Sequence, residues 1–148
     1  MSQEEFKLWN NLDIYGYRSK IGVIEGSAHL MIEFLLKGKI EKAKKRKEAI
    51  DICCTDLGNG IDRIDLKHYD SRFPLDAIKL LTEHGPEKLK EIKKSTAEAF
   101  FLTINGKQHD DYLQTVEDNV LFLNNLADKM DTDRYRQYRE TITENDRK

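Results

Sequence analysis

The stretch Asp110-Asp111-Tyr112-Leu113-Gln114-Thr115-Val116-Glu117-Asp118-Asn119-Val120-Leu121-Phe122-Leu123-Asn124-Asn125-Leu126-Ala127-Asp128-Lys129-Met130 decides the fold class. Within it Leu113, Val116, Val120, Leu123, Ala127 and Met130 recur three or four positions apart, the repeat that sets side chains on one face of an α-helix. Asp110 and Asp111 fall in the first turn, where a carboxylate meets the partial positive charge of the helix amino end. The remaining faces are polar, so one apolar stripe has to be buried against neighbouring elements. Its expected neighbour is the helix that carries Met31 and Leu35.

Working outward, the same spacing recurs along the chain. Ser2 and Glu5 form a capping box for a short helix with Phe6, Trp9 and Leu12, broken at Tyr15-Gly16-Tyr17. A helix over about 19–36 buries Ile21, Ile24, Ala28, Met31, Ile32 and Leu35 and stops at Gly38. Another runs over about 40–57 with Ile40, Ala43, Ile50, Cys54 and Leu57 on one side, until Gly58-Asn59-Gly60 interrupts or kinks it. Ile61, Ile64 and Leu66 mark a short helix. Pro74 opens one that ends at His84-Gly85, and Pro86 opens the next, which closes at Gly106. Beyond 130 a polar helix reaches about 144 and frays. The expectation is an all-α, compact bundle of about six to eight helices, one domain over residues 1–148 with a polar end from about 132.

Composition agrees. At 148 residues the chain is long enough for one core. Charged residues at 35% against 39% apolar suit helices with wide solvated faces and a narrow buried stripe. The net charge of -2 hides an asymmetry: Lys37, Lys39, Lys42, Lys44, Lys45, Arg46 and Lys47 stand against the single anion Glu41. A nucleic-acid partner is not implied. Cys53 and Cys54 are adjacent, too close for an unstrained mutual disulfide, which fits a reducing compartment. The acidic start Ser2-Gln3-Glu4-Glu5 is no signal peptide, and no apolar run approaches the roughly 18 residues of a membrane span. The expected location is cytoplasmic.

Two helical columns of polar residues carry the chemistry. Glu25, His29 and Glu33 share one face of the first long helix, and Glu48 and Asp51 share a face of the next. Carboxylates converging from different helices can hold a divalent cation beside a phosphate substrate. The segment 17–64, through Ile24-Glu25, Leu30, a basic connection and then Glu48-Ala49-Ile50-Asp51-Ile52, resembles the MazG-like family of all-α nucleoside triphosphate pyrophosphohydrolases. The second family motif, Glu-x-x-Asp, is matched outright. The paired glutamates of the first would fall on Gly26 and His29, with Glu25 displaced by one position as a substitute.

The resemblance implies catalytic roles for Glu25, Glu48 and Asp51, and Mg²⁺ or Mn²⁺ held by Glu25, His29, Glu48 and Asp51. It also implies release of pyrophosphate, and assembly as a homodimer or tetramer. Apart from the resemblance, the run Lys37 to Lys47 could steer a triphosphate, with Lys44 and Lys47 at its phosphates, or an acidic partner, or be a solvated face. The same residues also read as surface: Glu48 and Asp51 as salt-link partners of Lys44, Lys45 and Lys47, and the first column as a solvated stripe. That reading makes the chain a non-enzymatic helical module, an adaptor or inhibitor that binds a partner protein. His109-Asp110, with His84 and Asp128, offers a third arrangement, that of the all-helical HD phosphohydrolases; as a dipeptide in a loop and first turn it is an ordinary occurrence.

Overall fold

The computed structural model describes residues 14–64 and 75–130. They form α1 (Ile14–Leu36), α2 (Ile40–Asp62), α3 (Leu75–Ile104) and α4 (Asp110–Met130). The helices expected near the amino terminus and after 130 lie outside the described residues, as does Leu66.

Among the described residues there are four helices, fewer than the six to eight expected, because two glycine-containing segments read as breaks lie inside helices; the start of α1 was also misread. Tyr15-Gly16-Tyr17 does not break the chain; it lies within α1. Gly58 and Gly60 lie inside α2, which runs on to Asp62 and buries Gly60 and Ile61. His84-Gly85-Pro86 lies inside the 30-residue α3. Glycine stops a helix when it takes a positive φ, and among the described residues only Gly38 (φ 75) and Gly106 (φ 69) do so. Gly85 instead lets α3 approach α2. A Cβ on buried Gly85 would come within 3.0 Å of the Ile61 side chain, too close to fit unchanged, whereas one on half-buried Gly58 would make only ordinary contact with Leu89 at 3.9 Å. Pro86 costs α3 one backbone hydrogen bond, but packing on both sides of it holds the helix together.

Gly38 and Gly106 end α1 and α3 with the same pair of bonds. Lys39 N–H donates to the Phe34 carbonyl and Gly38 N–H to that of Leu35; Lys107 N–H donates to Leu102 and Gly106 N–H to Thr103. Both turns therefore reverse the chain within a few residues. Cross-helix contacts set the register. Thr55 of α2 accepts from Lys93 of α3, while Ile61, further along α2, meets Gly85, earlier in α3. The Tyr17 hydroxyl of α1 donates to the Leu123 carbonyl of α4 at 2.8 Å, and His29, further along α1, meets Glu117, earlier in α4. Asn119 of α4 donates to Glu91 of α3 at 3.0 Å. Sequential helices are thus antiparallel, in an up-down-up-down bundle whose core is closed by α1 packing on α2, α3 and α4.

The predicted stripes of α1 and α4 enter the core, as do Ala43, Ile50, Cys54 and Leu57 of α2, whereas Ile40, expected on the same side, is 43% exposed at the first turn of α2. Ile24, Met31, Ile50, Ile78, Leu81, Ile92, Leu123 and Met130 are fully buried. Of the α4 stripe, Val116, Val120, Leu123, Ala127 and Met130 are buried and Leu113 is half-buried. Buried Thr96 and Thr103 satisfy their hydroxyls on the carbonyls of Ile92 and Ala99 one turn back.

Candidate functional site

The two polar columns lie on different seams. On α1, Glu25 and His29 are exposed. His29 Nε2 lies 3.4 Å from Glu117 Oε1 of α4, so its column borders the α1–α4 seam. Glu33 pairs with Lys37 at 2.7 Å, and that hydrogen bond holds the Glu33 carboxyl below its usual pKa.

On α2, Glu48 and Asp51 border the α2–α3 seam. There an open hollow of about 490 Å³ lies on α2, lined by Lys44, Lys47, Glu48, Asp51, Ile52, Thr55 and Asp56, all of that helix. Lys47 is the pivot. Its side chain is 18% exposed, and its ammonium donates both to Asp51 Oδ1 at 2.5 Å and to the Lys93 carbonyl of α3 at 3.0 Å. The buried stem and the two-way hydrogen bonding tie α2 to α3. Lys93 returns the link by donating to Thr55 at 2.7 Å. The Asp51 charge is therefore answered within the chain by a lysine.

The four residues expected to hold a metal are not gathered. Among the described residues no three His, Cys, Asp or Glu side chains come together as a metal-binding group. Glu48 and Asp51 share the hollow, whereas Glu25 and His29 stand on a helix face that borders α4. This donor set does not fit Mg²⁺, which takes carboxylate oxygens converging with waters and phosphates. The two lysines expected at substrate phosphate, Lys44 and Lys47, do line the hollow beside Glu48 and Asp51. His109 lies 3.7 Å from Asp110 Oδ1 at the start of α4, and Asp128 is taken by Arg18. His84 packs edge-on against Phe122.

A second hollow, of about 240 Å³, adjoins the first through Lys44 and Lys47 and is closed on the α3 side by Ala97 and Phe100. One turn beyond, towards the Gly106 turn, the surface is apolar. Phe101 is 61% exposed, Ile104 48% and, across the seam at the start of α2, Ile40 43%. Leu36, at the end of α1, is 70% exposed. This surface was missed in the sequence reading, although a signal was present. Ala97, Ala99, Phe100, Phe101, Leu102 and Ile104 wrap the whole circumference of a helix, and one core-facing stripe cannot bury them all.

Burial raises the Cys54 thiol to about 12 and, more weakly, that of half-buried Cys53, so neither is an activated nucleophile. No helix of the described residues is long and apolar enough to cross a membrane. No protein-family model, curated protein or solved structure matches this chain.

Proposed function

We propose that the chain is a non-enzymatic helical module that binds a partner protein through the end of the bundle where α2 begins and α3 ends. One observation carries the reading: Leu36, Ile40, Phe101 and Ile104, all large and apolar, are 43–70% exposed at that end. Scattered single apolar residues are ordinary on a surface, whereas a group beside charged residues is the mark of an interaction site. The test is a photocrosslinking benzophenone side chain installed at position 101, with position 114 on α4 as control. A protein captured from position 101 and not from 114 supports the reading; equal capture, or none, counts against it.

A second reading is nucleotide pyrophosphohydrolysis of the MazG-like type with a degenerate metal site. It is favoured by the hollow that Lys44, Lys47, Glu48 and Asp51 line together. The lysines would meet the phosphates and Glu48 would face the same space. No step through a metal is derived, because Glu25 and His29 do not join Glu48 and Asp51 and because Lys47 occupies Asp51. Pyrophosphate release from nucleoside triphosphates with Mg²⁺ or Mn²⁺ would be its signature.

A further inference from the structure

We infer that the α2–α3 seam next to the Gly106 turn is a groove for an acidic amphipathic helix of a partner protein. The inference rests on the reading of the chain as a binding module and names the partner's chemistry. Ala97 and Phe101 lie one turn apart on α3, as do Phe100 and Ile104, so the four form two adjacent apolar pairs on the outer face. The antiparallel register set by Ile61 on Gly85 and Gly58 on Leu89 brings Ile40 of α2 opposite the end of α3. Lys44, one turn along α2 from Ile40, shares a hollow with Ala97 and Phe100. The apolar strip from residue 97 to 104 is about 10 Å long at 1.5 Å per residue, which matches helix anchors at i, i+3 or i+4, and i+7.

Charge selects the partner. Lys39, Lys44, Lys94 and Lys107 are exposed around the strip. Lys39 and Lys107 stand in the two turns at this end, and Lys94 lies two turns before Phe101 on the same face. Against them stand Glu41, which reaches Lys44 at 3.3 Å, and, one turn beyond Lys44 on the side away from the Gly106 turn, exposed Glu48, while Asp51 is answered by Lys47. A helix with carboxylates flanking its apolar anchors is steered to this rim and answers the lysines. A second copy docked patch to patch on a two-fold axis would instead set lysines against lysines.

A random library of 16-residue peptides displayed on phage and selected on the full chain tests the inference. The enriched peptides are then measured by fluorescence anisotropy on the chain and on Phe101→Ser and Lys44→Glu. Both sites are exposed, and a circular-dichroism melt unchanged from the parent chain qualifies each variant. The expected result is enrichment of peptides with two or three apolar residues at helical spacing and Asp or Glu between them. Affinity should fall at least tenfold in each variant and recover in Lys44→Glu when a peptide glutamate becomes lysine. Acidic peptides that bind both variants undiminished overturn the groove while leaving a binding module elsewhere on the chain. Enriched peptides without acidic residues overturn the charge selection, and no enrichment overturns the inference. Binding to phosphatidylserine vesicles, or self-association, that is lost in the same two variants assigns the surface to a membrane or a second copy and likewise overturns it.

Discussion

At the scale of single residues, burial and pairing decide what each group can do. Leu123 is fully buried and its carbonyl receives the Tyr17 hydroxyl, so it sits where α4 meets α1. Leu123→Ala is expected to cost about 2–5 kcal/mol by urea denaturation, the range for a leucine truncated in a closed core; a loss below about half a kcal/mol would place the stripe at a surface. Cys54 gives a pH dependence. Its thiol is held up to about 12, against 9.0 when unfolded, chiefly because burial disfavours the thiolate. Both states are protonated below 9, so nothing is lost there. Above it the unfolded chain releases a proton that the folded chain retains, and stability falls as the pH climbs towards 12. The urea midpoint should therefore decline above pH 9, and less steeply in Cys54→Ala; parallel profiles for the two proteins would contradict the assignment.

At the scale of the helix, two kinds of glycine separate what was legible from what was not. The periodic stripes of α1, α2 and α4 could be read directly, because spacing alone defines a buried face. Gly38 and Gly106 were also legible as ends, since basic or polar residues follow each and the apolar spacing lapses. Gly58, Gly60 and Gly85 look the same in the sequence but stay inside helices, and the need for glycine at Gly85 depends on Ile61 of a partner helix that only the tertiary arrangement supplies. Residues 14–18 were misread for the same reason, as the Tyr17 contact with Leu123 holds α1 helical from Ile14. Gly22 and Gly26 are a third case: a Cβ on either would meet none of the described residues within 4 Å. Gly26→Ala is expected to stabilise the chain by about 0.5–1 kcal/mol, as alanine outranks glycine in a helix, whereas Gly38→Ala should cost about 1 kcal/mol or more at its positive φ. Paired thermal melts check both; destabilisation by Gly26→Ala would reveal a second helix lying on that face of α1.

At the scale of the molecule, the site could be read only in pieces. Glu48 and Asp51 were legible as neighbours from helix spacing and Lys44 and Lys47 from the basic run, and the four line one hollow. Which way the α1 column faces depends on how far α1 turns about its own axis, and that is set by the packing of Tyr17, Ile21, Ile24 and Ala28, which the motif does not encode. The homodimer that the family resemblance implies belongs to the second reading and is checked by light scattering at micromolar concentration, where twice the 17.3 kDa chain mass would support that reading and a single chain mass would count against it. The claim that separates the two functional readings is that binding, and not phosphoanhydride cleavage, is the work of this chain. It is tested most directly by measuring pyrophosphate release from mixed nucleoside triphosphates with Mg²⁺ or Mn²⁺, on the parent chain and on Asp51→Asn. The account predicts no release from either protein and a stability change well under 1 kcal/mol in the variant, the size of a partly exposed ion pair. Metal-dependent release that disappears in Asp51→Asn would contradict it.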